Sequence, residues 1–191
     1  LDPKSVVALL QASVDALGSV AGSELDVTSY SLTELADHIE RTHHAYVKSE
    51  LPRLVEMADR VARKHAWRDD RRPAVAESVM ELAAEMFNHL EKEEKILFPI
   101  VRQIDAGAPD QFHCGSIANP IRQMEHEHES AGQLIGRLRK LTDEFTPNEE
   151  ACNTHRALLA GLAEFESDLF RHVHKENNIL FPRALKVAGV N

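Results

Sequence analysis

The pattern H-x-x-K-E-x-x-I-L-F-P occurs twice in this chain, over residues 89–99 and 172–182. Each copy sets a His and a Glu four residues apart, one turn apart on the same face of a helix. A lone pair of this kind is ordinarily a surface ion pair. Here both pairs interrupt apolar stripes. Val75, Val79, Leu82, Met86, His89, Glu93, Ile96 and Ile100 alternate in steps of four and three, and so do Leu158, Leu162, Phe165, Leu169, His172, Glu176 and Ile179. Two helices that carry the same polar pair on their buried faces are expected to point both pairs into one helix-bundle core.

The rest of the chain supplies the partners. Pro3 to about Ala21 carries apolar residues at helical spacing and predicts a short leading helix. Ser31-Leu-Thr-Glu34 is a capping box that opens a long helix running to about Lys64, through Pro52. A second long helix is expected from about Ala74 to Gln103, a third from Ala118 or Pro120 to about Phe145, and a fourth from about Glu149 to Lys186. Long helices with short joins are antiparallel neighbours, so the chain reads as an all-α, up-down-up-down four-helix bundle with a short extra N-terminal helix. Residues 1–29 form the helix and connector, and residues 30–191 the bundle.

On the third helix the series Ile117, Ile121, Met124, His128, Ala131, Ile135, Leu138 selects His128 and leaves His126 off the stripe. On the first, His44, Val47, Leu51, Leu54, Ala58 and Val61 select His44, while Leu35, Ile39 and His43 lie on a slightly rotated stripe, so His43 and His44 both stand as candidates. With a rise of about 1.5 Å per residue, the polar interruptions of the four helices fall at levels that agree within a few turns. Four imidazoles and two carboxylates buried together require a compensating charge. Two metal ions supply it if Glu93 and Glu176 bridge them and His44, His89, His128 and His172 cap them in pairs. With a bridging oxide or hydroxide, each metal then keeps one open position. Mixed N/O donors without thiolate favour iron, with manganese second; zinc prefers fewer ligands in a tetrahedron. His38, His126 and His174 read as solvated or supporting groups. His65 and His155 lie towards the other end of the bundle, His113 sits in a loop, and Tyr46 reads as a core aromatic.

Charge and composition narrow the function. A net charge of −9 with acidic residues spread throughout excludes an electrostatic nucleic-acid surface. No apolar run reaches the length of a membrane span, so a cytoplasmic protein is expected. Cys114 and Cys152 form neither a C-x-x-C pair nor a disulfide framework. The start, Leu1-Asp-Pro-Lys, has neither an initiator Met nor a signal-peptide layout, and reads as the remainder of a longer protein.

Four ordered strings carry a family likeness: His43-His-Ala-Tyr-Val-Lys-Ser-Glu-Leu-Pro52, the copy at residues 89–99, Met124-Glu-His-Glu-His128 followed by Ala131-Gly132, and Glu176-Asn-Asn-Ile-Leu-Phe-Pro-Arg-Ala184. Over about residues 30–186 the chain resembles the repair-of-iron-centres family of hemerythrin-like proteins. The resemblance implies a four-helix bundle with two irons and a bridging oxide, acting in nitrosative and oxidative stress to restore damaged iron–sulfur clusters. It also implies iron–sulfur proteins as clients, and His44, His89, Glu93, His128, His172 and Glu176 as iron ligands, so that His44 is favoured over His43. Many members begin with a small domain bearing adjacent cysteines; nothing here matches it, and residues 3–21 resemble the connector that follows it. Iron delivery and reaction with NO both fit. The alternatives are hemerythrin-like binding or sensing of O2 or NO, and NO reduction at the same pair, in a monomer or a dimer. Oxygen carriers of that type use five His, and the stripes here offer four.

Overall fold

The computed structural model describes residues 27–65, 69–107 and 115–190. The chain divides into two units, Leu1–Tyr30 and Ser31–Asn191. In the first, the described part is a 3-10 turn, Val27–Ser29, followed by a bond from the Tyr30 N–H to the Val27 carbonyl at 3.2 Å. The leading helix expected at 3–21, His113 and Cys114 lie outside the described residues.

The second unit is built from four long helices, and no strand occurs among its described residues. Helix α1 comprises Leu32–Ile39, a π-helical turn Glu40–His44, and Ala45–His65. Helix α2 comprises Arg71–Lys92, a π-helical turn Glu93–Leu97, and Phe98–Asp105. Helix α3 is Ala118–Leu141, without interruption. Helix α4 comprises Asn153–Lys175, a π-helical turn Glu176–Leu180, and Phe181–Val187. The capping box closes as expected, with Ser31 Oγ accepting from the Glu34 N–H at 3.1 Å and Glu34 accepting from the Ser31 N–H at 2.8 Å. Helix α1 packs against α2 and α4, and α2 against α3. Neighbours are antiparallel: Asp105, at the end of α2, accepts from the Thr33 N–H at the start of α1, and Arg71, at the start of α2, pairs with Asp143 just beyond α3. None of the described helices is long and apolar enough to cross a membrane.

Away from the π-helical turns the core is apolar, with Leu51, Leu54, Val79, Leu82, Leu138, Leu162 and Phe165 all fully enclosed. Helices α1 and α4 approach closely there, because a Cβ added at Gly161 would lie 2.8 Å from Leu54 Cδ2. Helix α3 ends earlier than expected. Asp143, Glu144 and Phe145 all take left-handed backbone angles, φ 51 to 59°, which stop a right-handed helix and are unfavourable for residues with a Cβ. Thr142 holds the reversal: its hydroxyl donates to the Leu138 carbonyl at 2.7 Å and accepts from the Phe145 N–H at 3.1 Å, and Phe145 is buried.

Three π-helical turns re-phase the stripes. On α2 the expected sequence holds from Val75 to Glu93, and then Ile96 is 50% exposed while Leu97, Val101 and Ile104 are buried. On α4, Leu180 is buried and Ile179 only partly so. A π-helical turn spends one more residue than an α-turn, so each stripe resumes one position later. Phe-Pro follows both turns. The Phe98 N–H bonds the Glu93 carbonyl and the Phe181 N–H bonds the Glu176 carbonyl, five residues back in each case. The proline after each Phe has no N–H, and its ring clashes with the carbonyl four residues back in a regular helix; the wider turn relieves that clash. On α1 the turn reconciles the two rival stripes, since Leu35 and Ile39 before it and Val47, Leu51 and Leu54 after it are all buried. No proline follows there. Thr42 instead draws the His38 carbonyl to its hydroxyl at 2.7 Å, a back-bond of the kind that bends helices.

Candidate metal centre

Each π-helical turn begins or ends on one of the residues picked out by sequence. Glu93 and Glu176 open their turns and His44 closes its own, while His128 sits on regular α3. The four helices bring His44, His89, Glu93, His128, His172 and Glu176 together, every one between 0 and 7% exposed. Their donor atoms fall into two overlapping groups, one of His44, Glu93, His172 and Glu176 and the other of His89, Glu93, His128 and Glu176. Within each group the donor atoms lie within 4.8 Å of one another. Both carboxylates belong to both groups. His44 Nε2 and His89 Nε2 lie 3.3 and 3.4 Å from Glu93 Oε2, and His128 Nε2 and His172 Nε2 lie 3.1 and 3.0 Å from the two Glu176 oxygens. His43 is buried too, but its nitrogens turn to Asp168 at 2.9 Å and Lys175 at 3.1 Å, outside both groups.

The donor set fits a cation. Glu93 Oε1 and Oε2, Glu176 Oε2 and His44 Nε2 are buried without a hydrogen-bond partner, which in a protein interior requires an explanation. His89 Nε2 and His128 Nε2 face each other at 3.0 Å. Their Nδ1 atoms are engaged with acceptors, which puts the ring protons there and leaves two lone pairs facing. Two donors each about 2.1 Å from one cation and at right angles to each other would be about 3.0 Å apart. Electrostatics point the same way. Burial and the neighbouring Glu176 push the Glu93 carboxyl well above its usual range. Burial also acts to raise Glu176, but His172 and His128 beside it outweigh that and hold it well below. Without a cation only one of the pair is ionised; for both to be ionised this close and this dry, a positive charge is needed between them. Burial, with His172 nearby, pushes His44 down to about 4, and burial lowers His89, so both imidazoles are neutral and able to donate a lone pair.

A further set of residues holds the rings, and the sequence reading did not identify it. His44 Nδ1 donates to Glu94 at 2.8 Å, and Glu94 is held by Lys48 at 2.6 Å. His89 Nδ1 donates to Glu127 at 3.0 Å, and Glu127 is held by Lys92 and by Gln123. His89 with Lys92 and Gln123 brings Glu127 down to about 2. His128 Nδ1 donates to Asn177 Oδ1 at 3.0 Å. Such partners fix the tautomer that leaves Nε2 free for a metal. A signal was available in the repeat, since Glu94 and Asn177 each directly follow the motif's Glu.

The remaining histidines are dispersed. His126 is exposed, at the rim of a cavity of about 210 Å³ that reaches His89 between Glu85, Lys92 and Glu127. His174 meets Asn178, and His38 lies edge-on to His43 at 6.3 Å. His155 lines a small cleft with Arg71 and Thr142 at the far end of the bundle. His65 ends α1. Tyr46 stacks on Phe165 with ring centres 6.3 Å apart, as a core aromatic.

Residues 35–184 match the family model described as the Hemerythrin HHE cation binding domain. The iron-sulfur cluster repair protein YtfE of Musicola paradisiaca is 38% identical over 180 residues, covering 94% of this chain and 78% of that protein. A probable iron-sulfur cluster repair protein of Haemophilus influenzae is 40% identical over 163 residues, covering 85% and 70%. The YtfE protein of Yersinia pestis (strain Pestoides F) is 39% identical over 178 residues, covering 93% and 76%.

Proposed function

The chain belongs to the hemerythrin HHE cation-binding family, among its iron–sulfur cluster repair proteins, and from that premise we propose that it restores damaged iron–sulfur clusters through two irons held in its bundle core. His44 and His172 would hold one iron and His89 and His128 the other, with Glu93 and Glu176 available to both. The observation that carries this reading is the pair of overlapping donor groups sharing both carboxylates. When bound, the irons supply redox change and open positions for NO or O2.

The chain's own residues do the rest. Glu94, Glu127 and Asn177 hold three imidazoles in the tautomer that offers Nε2 to a cation. Glu93 and Glu176 belong to both donor groups and would supply negative charge to either position. Phe98 stacks on His44 at 5.5 Å and Phe181 on His128 at 6.2 Å, keeping water from those rings and strengthening every electrostatic contact inside. Iron–sulfur proteins are the proposed clients, with iron as cargo delivered to them.

The test is metal content and function measured together. The purified chain should take up about two irons and, without oxygen, restore activity to a client enzyme whose cluster was damaged by NO. NO consumption measured beside iron transfer to a cluster-free client separates the two chemistries. A single bound zinc, with no iron taken up on reconstitution, would overturn this reading.

A further inference from the structure

Exchanging α1 with α3 and α2 with α4 maps the site onto itself. His89 takes the place of His172, Lys92 that of Lys175, Glu94 that of Asn177, and His128 that of His44. The residue before His128 is Glu127, and the residue before His44 is His43. Glu127 accepts the Nδ1 proton of His89 and is held by Lys92. Its counterpart His43 is likewise bonded to a lysine, Lys175, at 3.1 Å, but it presents a ring face to His172, parallel to within 5° at 5.3 Å between ring centres. Asp168 fixes that ring from the other side at 2.9 Å. The His172 Nδ1 is therefore buried without a hydrogen-bond partner, alone among the four imidazoles.

We infer that the two metal positions are unequal, and that the one capped by His44 and His172 is the weaker, emptied first and refilled last. The inference rests on the reading of the six residues as a two-metal centre. A metal on Nε2 of His172 forces the ring proton onto Nδ1, where a buried N–H has no acceptor, an arrangement that opposes metal binding. Without the metal the proton can move to Nε2 and be donated to Glu176 Oε1, 3.0 Å away. The opposite position has no such alternative to gain, because Glu127 and Asn177 set both of its rings beforehand. Acceptors of this kind change metal affinity by about 10- to 100-fold. A repair protein organised this way gives up one iron while the other holds the bundle's polar core together.

Equilibrium titration with iron(II) in metal buffers, without oxygen, tests this independently of how easily solvent reaches each side. Two binding steps are expected in the unaltered chain. His43→Glu, which copies the Glu127 arrangement beside Lys175, should tighten the weaker step about tenfold or more and leave the tighter one in place. Asn177→Leu should weaken the tighter step by a similar factor, and Asn177→Asp should restore it. Far-ultraviolet circular dichroism checks that each variant folds, and should His43→Glu not fold, the Asn177 pair decides. A weaker step untouched by a folded His43→Glu, or a tighter step untouched by Asn177→Leu, overturns the inference. Uptake of fewer than two irons by the unaltered chain overturns the two-metal reading beneath it.

Discussion

The two ends of this bundle are built to opposite rules. At one end, around Leu54, Leu82, Leu138 and Leu162, the helices keep a regular period and the core is mostly hydrocarbon, its few buried polar groups such as Ser78, Thr142 and Glu166 each hydrogen-bonded. At the other, three of the four helices widen into a π-helical turn and six titratable side chains replace the apolar ones. The first arrangement is the one that stabilises a fold, at about 25 cal/mol for each Å² of apolar surface removed from water. The second opposes folding until a cation arrives. Stability and chemistry are thus kept in different places, and substitutions should separate them.

The largest expected effect is at the polar end. Glu93→Leu removes a carboxylate that faces both donor groups, so iron content should fall from about two per chain to none or one. The metal-free protein should melt at the same temperature or higher, since an apolar side chain relieves a buried carboxylate of its desolvation. Metal analysis and calorimetry on the same sample decide it. The converse change is Leu162→Ala, which opens a cavity at the fully buried apolar end. It should lower unfolding free energy by about 2–5 kcal/mol, read by urea denaturation, with iron per folded chain unchanged. If iron is lost there as well, the two ends are not separable.

A smaller effect follows from pH. His44 is held at about 4 in the folded chain by burial and by His172, against about 6.5 when unfolded. The unfolded state therefore binds more protons between those values, and stability falls as pH drops through that window. Metal-free protein should show a urea midpoint that declines from pH 7 towards pH 4, and His44→Gln should flatten the decline. The smallest effect belongs to His126, exposed on α3 two residues from His128. His126→Leu should leave iron content and melting temperature unchanged; iron loss in that variant alone would put the site on the wrong face.

What the sequence made legible follows the same division. On α3, with no π-helical turn, the expected stripe from Ile117 to Leu138 is buried residue for residue. On α2 and α4 the reading is right up to the motif's Glu and then one residue out, naming Ile96 and Ile179 where Leu97 and Leu180 are buried. A fixed period of 3.6 cannot register an added residue. Its trace was nevertheless present, as two competing stripes on α1 offset by one position, and as Phe-Pro after each motif. The rings' outer partners were harder to see, because Glu127 and Glu94 reach across to neighbouring helices and look like ordinary surface acids in one dimension. The left-handed reversal at Asp143–Phe145 had no glycine to announce it.

Counted as chain length, each π-helical turn is a helix with one residue more than its core needs. Leu97 and Val101 resume the stripe after Glu93 as though a position had been skipped, and Ile96 stands outside at 50% exposed. Shortening α2 by a single codon at Ile96 would return Leu97, Val101 and Ile104 to one regular stripe, while pressing the Pro99 ring against the carbonyl four residues back. The apolar core would not register the loss. The two lengths differ at the widened turn from Glu93 to Pro99, so a one-residue deletion that keeps the apolar stripe intact would be read at the polar end.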